Sequence, residues 1–258
     1  MLVDAGTESD GDYITEFLKA QNIEKIDYLI GTHIDSDHIG GIVRVIESFD
    51  VQNFYLPQMI QNNKYYEKAR EAVAKKEKLE MEEKEQGYIF DLGDAKVEIL
   101  SNKDRTTKSI NETSIVLEIT YEDTKYIFMG DATEKIEKLI KLEEVDVLKV
   151  GHHGSKYSTS QYFVDIILPK YSMISVGKNS YGHPDETVIE RLEKTGQVYR
   201  TDVDGTIWIK SDGYEIKIEL LPDIDVNGAY RKKTSLYINF LNSPLYCQMY
   251  NKNHLLVA

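Results

Sequence analysis

Short apolar runs alternate with stretches of helical periodicity along most of the chain. The apolar runs contain many β-branched and aromatic residues, and they predict strands at 26–31, 51–56, 88–92, 95–101, 125–131, 145–150 and 173–177. Helical spacing predicts helices at 13–20, 62–86, 133–142 and 185–194. Segment 62–86 is rich in Lys and Glu, so we interpret it as a solvated helix or pair of helices. A substrate lid is the alternative for that segment.

The two ends of the chain need separate interpretation. Residues 2–6 have the pattern of the end of a strand followed by a turn. Residues 198–209 predict a strand, a turn and a further strand. Alternating segments at 234–241 and 245–250 flank Asn242-Ser243-Pro244 and predict a β-hairpin. We therefore divide the chain into a main domain, 1–221, and a C-terminal appendage, 222–258.

Composition indicates a globular protein. The chain has 258 residues, of which 41% are hydrophobic and 29% charged, enough for a substantial core. Its single cysteine, Cys247, excludes an internal disulfide. No apolar run approaches the roughly 20 residues that span a bilayer. No signal segment opens the chain, which predicts the cytoplasm if Met1 is the natural start; a truncated start would leave export open.

The net charge of −13 argues against a broad nucleic-acid-binding face, which is normally basic. It does not argue against a phosphodiester substrate, because bound cations change the local field at a site.

The densest cluster of possible metal-binding residues lies between the strand at 26–31 and a helix that begins near residue 39. It carries His33, Asp35, Asp37 and His38 within six positions and is followed by two glycines. Imidazole and carboxylate groups suit zinc, manganese and iron, and paired glycines let the backbone turn close to ions. A helix cap would need only one Asp or Ser, so we interpret this segment as a metal-binding turn.

Three later segments place similar groups after predicted strands. Asp131 ends one strand, and Gly151-His152-His153-Gly154-Ser155 follows the next. Lys178, Asn179 and His183 follow the strand at 173–177. Five of the six histidines therefore lie in motifs.

This ordered set resembles the metallo-β-lactamase superfamily, whose usual first motif is His-x-His-x-Asp-His. Asp35 stands where that motif has its second His, a variant similar to the hydrolase domain of ComEC-type DNA-internalisation competence proteins and to the phosphorylcholine esterases. The resemblance covers residues 2–209. It implies an α+β fold, an αββα four-layer sandwich of two mixed sheets, here lacking the first N-terminal strands. The missing strands would expose an unpaired edge unless the tail compensates.

The resemblance also implies roles for single residues. Asp131 would bridge two metals, and one of His152 and His153, with the choice open, would complete the second site beside Asp37 and His38. Ser155 would hold a phosphate oxygen, and Lys178, Asn179 and His183 would contact substrate. The remaining roles are metal binding by His33 and Asp35 and support from outside the ligand set by Asp4 and Asn111.

One departure from the family concerns the first site. Most members supply a third His from the polar loop that occupies residues 102–108 here, and this chain has none. Asn111 or Glu112 could serve through oxygen, which would favour Mn²⁺ over Zn²⁺.

The ligand types and the resemblance together imply a hydrolase with two divalent ions, Zn²⁺ or Mn²⁺, and the resemblance to the competence-type branch favours phosphodiesters, DNA among them, as the substrate. Asp37, Lys178 and His183 are the predicted catalytic residues. A small phosphoester such as phosphorylcholine is the alternative substrate, and a degenerate, non-catalytic binding module is the alternative to an enzyme.

Overall fold

The computed structural model describes residues 1–58, 62–101 and 109–221, and the backbone of three strands at 237–240, 245–250 and 254–257. The predicted polar loop 102–108 lies outside the described residues, as do residues 234–236 and 241–244 of the predicted tail hairpin, which include its turn.

The first half of the chain holds four helices and eight strands in the described residues. The helices are α1 (Glu8–Ala20), α2 (Ser36–Ile39), α3 (Ile42–Ser48) and α4 (Lys64–Val73). The strands are β1 (Leu2–Val3), β2 (Lys25–Ile30), β3 (Asp50–Tyr55), β4 (Met81–Glu82), β5 (Ile89–Leu92), β6 (Ala95–Ile99), β7 (Leu117–Tyr121) and β8 (Thr124–Phe128).

The second half continues the alternation. Its helices are α5 (Glu134–Glu137), α6 (Gln161–Ile167), α7 (Glu186–Leu192) and α8 (Thr201–Asp204). Its strands are β9 (Val147–Lys149), β10 (Tyr171–Ile174), β11 (Gln197–Arg200), β12 (Thr206–Ser211), β13 (Ile216–Leu221), β14 (Tyr237–Phe240), β15 (Leu245–Tyr250) and β16 (His254–Val257). Short 3₁₀ turns cover Asn111–Thr113 and Gly151–Gly154.

The strands form two mixed sheets. Within the described residues, the first sheet has the order β13-β12-β15-β14-β16-β1-β2-β3-β4, and β1 to β4 run parallel. The second has the order β11-β10-β9-β8-β7-β6-β5, antiparallel from β5 to β8 and parallel from β8 to β11.

Alternation along the strands sends side chains to two different cores. Val3, Ile30 and Tyr55 of the first sheet pack against the second sheet, whereas their neighbours Leu2 and Leu29 face the helices. Helices α1, α3 and α4 cover the outer face of the first sheet, and α6 and α7 cover that of the second. The four-layer αββα sandwich is therefore confirmed.

Some predicted elements are shorter than expected. The helix predicted at 62–86 ends at Val73, because the chain then turns and β4 adds to the sheet beside β3. Its buried residues, Ala69, Ala72 and Val73, fix α4 in the outer helical layer, so it is not a free lid. The helix predicted at 133–142 covers only Glu134–Glu137.

The predicted strand pair at 198–209 also differs. Strands β11 and β12 lie in different sheets with α8 between them. In the tail, β14 pairs antiparallel with β15, and β16 pairs antiparallel with β1. The edge of β1 that faces away from β2 is therefore paired. The domain boundary at 221/222 stays a prediction. No helix among the described residues is long and apolar enough to cross a bilayer.

Gly41 allows a close approach between the metal-binding turn and the N-terminal segment. A Cβ at this position would overlap the carbonyl oxygen of Ala5 and lie 2.8 Å from the Cα of Gly11. The Gly41 N–H donates to the carbonyl of Gly6 at 2.9 Å. The glycine is thus needed for packing of backbone against backbone, which holds the turn after β1 beside the turn after β2.

Gly41→Ala should destabilise the fold by about 1–3 kcal/mol. The added Cβ would clash with backbone atoms, which cannot move aside by changing a side-chain rotamer. Urea denaturation of the metal-free chain measures this loss. Glu47→Ala, an exposed change on α3, is the control and should stay within about 0.5 kcal/mol of the unaltered chain. Equal midpoints for the two variants would contradict the packing argument.

Candidate metal centre

The candidate site lies where the carboxyl ends of parallel strands from both sheets meet. Strands β1 and β2 lead into the turns with Asp4 and His33, and β8, β9 and β10 lead into the loops of the second sheet. Parallel strands end at the same edge of a sheet, so residues distant in sequence converge there.

Asp131 is the group around which the imidazoles are arranged. Its Oδ2 atom is 3.7 Å from Nε2 of His33 and 3.7 Å from Nε2 of His152. Its Oδ1 atom is 3.3 Å from Nε2 of His38 and 3.4 Å from Nε2 of His153. Each carboxylate oxygen therefore faces its own pair of histidines.

Two further carboxylates extend these pairs. Asp35 Oδ2 is 3.6 Å from Nε2 of His33, and Asp37 Oδ2 is 3.9 Å from Nε2 of His153. With Asp131 shared, we define the first set as His33, Asp35, His152 and Asp131. The second set is Asp37, His38, His153 and Asp131. The sequence left open which of His152 and His153 faces the site, and the structure brings both to Asp131, one on each side.

The arrangement of these nitrogen and oxygen atoms suits bound cations better than direct hydrogen bonds between the side chains. His33 Nε2 and Asp131 Oδ1 are buried and have no hydrogen-bond partner, which is costly unless a ligand compensates. Ligand atoms about 2.1 Å from a tetrahedral cation lie roughly 3.4 Å apart. The separations of 3.3–3.9 Å between these nitrogens and oxygens are close to that spacing. Among the described residues, His33, His38 and Asp131 bring their ligand atoms within 4.8 Å of one another, and Asp37, His38 and His153 do the same, so both groups can hold a divalent cation.

Hydrogen bonds on the far side orient two of the imidazoles. His38 Nδ1 is 2.7 Å from Oδ2 of Asp4, and Asp4 also accepts from the Thr32 N–H and hydroxyl. His153 Nδ1 lies 2.9 Å from the carbonyl oxygen of Ser175 and must donate to it. Both contacts assign the proton to Nδ1 and leave Nε2 free to bind a cation. Asp4 thus lies where the sequence predicted support for a ligand.

The backbone conformation explains how adjacent histidines reach opposite sides of one carboxylate. His152, His153 and Gly154 all have left-handed φ angles, 49°, 54° and 77°. Such values are strained for residues with a Cβ and persist where the surroundings enforce them. The two rings are nearly perpendicular, at 77°, with centroids 6.2 Å apart.

His152 lies beside the first set, which is the set to which most members of the family contribute a third histidine. The Asn111 amide lies 3.2 Å from His152 Nε2, so this residue borders the first set. Glu112 instead accepts a hydrogen bond from Lys135 at 2.7 Å. That the first site lacks the family's usual third His stays a prediction, and His152 lies on this side of the centre, with its Nε2 3.7 Å from Oδ2 of Asp131.

The charges of the centre shift the pKa values of its members. Burial raises the pKa of Asp131, but the nearby histidines, led by His153, outweigh burial and hold it well below its usual range. Burial lowers the pKa of His38, but Asp131 and Asp4 outweigh burial and hold it well above its usual value. In the absence of cations, this shift favours the protonated form of the His38 imidazole.

Sequence reasoning missed Lys149, which lies on β9 behind the centre. Its side chain is buried and its Nζ donates to the Val150 carbonyl at 3.3 Å. Burial lowers its pKa, and the charges of Asp131 and Asp4 oppose that effect. The ammonium group thus offsets part of the negative charge. A lysine inside an otherwise apolar strand was the available signal.

The predicted substrate-binding residues do not share one environment. Lys178 and His183 line a cavity of about 140 Å³ beside Asp37 and His153. Both amide atoms of Asn179, which also borders this cavity, are engaged within its own loop. Ser155 is fully buried, and its hydroxyl accepts from the Tyr157 N–H at 3.4 Å. The structure therefore brings Lys178 and His183 to the cavity, but not the Ser155 hydroxyl.

Comparison with known proteins identifies the family of the chain. The sequence model of the metallo-β-lactamase superfamily matches residues 1–178. ComE operon protein 3 of Bacillus subtilis (strain 168) is 34% identical over 197 residues, covering 74% of this chain and 25% of that protein. Competence protein ComA of Neisseria gonorrhoeae is 29% identical over 215 residues, covering 80% of this chain and 28% of that protein.

Recombination protein 2 of Haemophilus influenzae (strain ATCC 51907 / DSM 11121 / KW20 / Rd) is 29% identical over 214 residues, 80% of this chain and 25% of that protein. The chain thus spans about a quarter of the length of these curated relatives. Among solved structures, the metallo-β-lactamase fold protein YhfI from Bacillus subtilis has a TM-score of 0.51 at 12% identity, covering 77% of this chain and 82% of that one. Similarity at that identity concerns the fold alone.

Binding of divalent cations should release protons, because the raised pKa of His38 means that a proton must leave before Nε2 can bind a cation. Affinity should therefore fall as the pH drops through that pKa and level off above it. Calorimetric titration with Zn²⁺ or Mn²⁺ in two buffers of different ionisation enthalpy measures the number of protons. Equal heats in the two buffers at neutral pH would contradict the predicted charge state.

Proposed function

The chain belongs to the metallo-β-lactamase superfamily, and from this membership and the geometry of the centre we propose that it is a metal-dependent hydrolase of phosphodiester bonds. The observation that carries the proposal is the division of Asp131 between two sets of ligands, one facing each carboxylate oxygen. One carboxylate shared in this way suits a pair of cations held close together.

A pair of divalent cations would supply hydroxide near neutral pH and would stabilise negative charge on phosphoryl oxygens. The protein's own residues supply position and orientation. The first set would hold one cation and the second set the other, while Asp4 and the Ser175 carbonyl fix the imidazoles of His38 and His153. Each set offers two nitrogen and two oxygen ligands, and this combination suits either Zn²⁺ or Mn²⁺.

The remaining groups act on the substrate from the cavity beside the second set. The Lys178 ammonium can bind a phosphoryl oxygen as a point charge. The partly buried His183 ring can hydrogen-bond a phosphoryl oxygen or donate a proton to the leaving oxygen. Asp37 contributes both to the second set and to the cavity wall.

The relatives support a nucleic acid as the substrate. Their names refer to competence and recombination, and we propose DNA on that basis. The net charge of −13 favours contact with few phosphates rather than a long basic track. A small phosphoester of the phosphorylcholine type is the alternative substrate. A non-catalytic module is less well supported, because His152 provides an imidazole beside the first position.

Hydrolysis of bis-p-nitrophenyl phosphate with Mn²⁺ or Zn²⁺ tests the proposal. Asp131→Asn and Asp37→Asn should each lower kcat/KM by about 100-fold or more, since a charged ligand matters more than a supporting contact. Asp91→Asn, an exposed carboxylate on β5 paired with Lys96, is the matched control and should keep full activity.

Metal analysis accompanies the assay. The unaltered chain should bind two equivalents of cation, and Asp131→Asn should bind fewer. A chain that binds no cation and turns over no substrate would support the non-catalytic module instead. Turnover by Asp131→Asn equal to that of Asp91→Asn would overturn the assignment of the centre.

A further inference from the structure

An aromatic side chain stands beside the candidate metal centre with no assigned role. Tyr181 is 83% exposed and lies on the wall of the cavity that also contains Asp37 and His183. Its ring is stacked on that of His183, with centroids 6.0 Å apart and an angle of 26° between the planes. The ring therefore leaves a flat aromatic face open at the mouth of the cavity, where a planar ligand can stack on it.

The loop that carries Tyr181 is held rigidly by one side chain. The Asn179 amide donates to the carbonyls of Gly177 at 2.9 Å and His183 at 2.7 Å. Its oxygen accepts from the N–H groups of Tyr181 at 3.0 Å and His183 at 3.1 Å. Asn179 is therefore a positioning residue, because it holds the backbone at Tyr181 and so reduces the entropic cost of ordering this loop on binding.

The cavity has the size and lining for one flat ring. Its volume of about 140 Å³ is close to the roughly 150 Å³ that accommodates benzene in an engineered protein cavity. Val176 and Gly177 contribute apolar surface, and Lys178 places a cation beside it. A planar apolar face next to a cation suits a base joined to a phosphate.

We propose, on the basis of the phosphodiesterase function above, that Tyr181 is a stacking platform for an unpaired nucleobase of the substrate. The base next to the scissile phosphate lies against the exposed face of the Tyr181 ring, and Lys178 binds a phosphate oxygen. Stacking requires a base freed from its pair, so the substrate is a single strand or a single-stranded end. Base stacking tolerates any sequence, since every base has a flat face.

The same groups disfavour a quaternary ammonium ligand of the choline type. Such ligands are held by several aromatic rings around the cation, whereas this cavity offers Tyr181 and His183. The Lys178 ammonium on the same wall would repel a positive ligand. A neutral base meets no such repulsion.

Two phosphodiesters with the same leaving group provide the test. Thymidine 5′-(p-nitrophenyl phosphate) carries a base, and methyl p-nitrophenyl phosphate does not. Tyr181→Ala should lower kcat/KM for the thymidine ester by about 5- to 100-fold, mainly through KM, and leave the methyl ester unchanged. Tyr181→Phe retains the ring and should match the unaltered chain on both esters.

Equal losses on both esters, or no loss on either, would overturn the platform. A loss confined to p-nitrophenyl phosphorylcholine would also overturn it, in favour of an ammonium site.

If the unaltered chain cleaves no ester, the proposed function has failed, and a binding experiment then tests the stacking platform. Fluorescence anisotropy should show that the unaltered chain binds oligothymidylate more tightly than an abasic strand of equal length. Tyr181→Ala should abolish that difference. Equal binding of the two strands by the unaltered chain would refute the platform.

Discussion

The arrangement of the centre depends on one buried carboxylate shared by four imidazoles. Asp131 follows β8 at the edge where both sheets end, and its two oxygens face different histidine pairs. Its backbone N–H donates to the Ser114 hydroxyl at 3.1 Å, which fixes the carboxylate in the gap between the sheets. A change in the spacing of the sheets would move His33 and His38, which follow β2 of the first sheet, away from Asp131. The sandwich and the site therefore constrain each other.

Buried charge explains why so many contacts surround this carboxylate. Asp4 and Asp131 are buried, and their charges are offset by His38 and by the Lys149 ammonium behind the centre. A cluster of this kind is costly unless each group has a partner or a cation. The left-handed backbone at His152 and His153 adds strain, which the hydrogen bond from His153 to Ser175 helps to hold. Binding of cations would compensate for these costs.

Much of the fold and the ligand types could be predicted from the sequence. Strand periodicity placed β2, β8 and β9, and parallel strands bring their ends together, so His33 and Asp131 could be expected to meet. The division of His152 and His153 could not be predicted, because it follows from backbone angles that no spacing encodes. The helix expected at 62–86 failed for another reason. Pairing of β4 with β3 overrides the helical propensity of the Lys- and Glu-rich segment after Val73. The burial of Ser155 likewise depends on how its loop folds back.

Anomalous X-ray diffraction from crystals of the Mn²⁺- or Zn²⁺-loaded chain tests the central claim most directly. The account predicts two peaks on either side of Asp131, roughly 3.5–4 Å apart, one beside His33 and His152 and the other beside His38 and His153. A single peak, or two peaks that both lie on the same side of the Asp131 carboxylate, would contradict it.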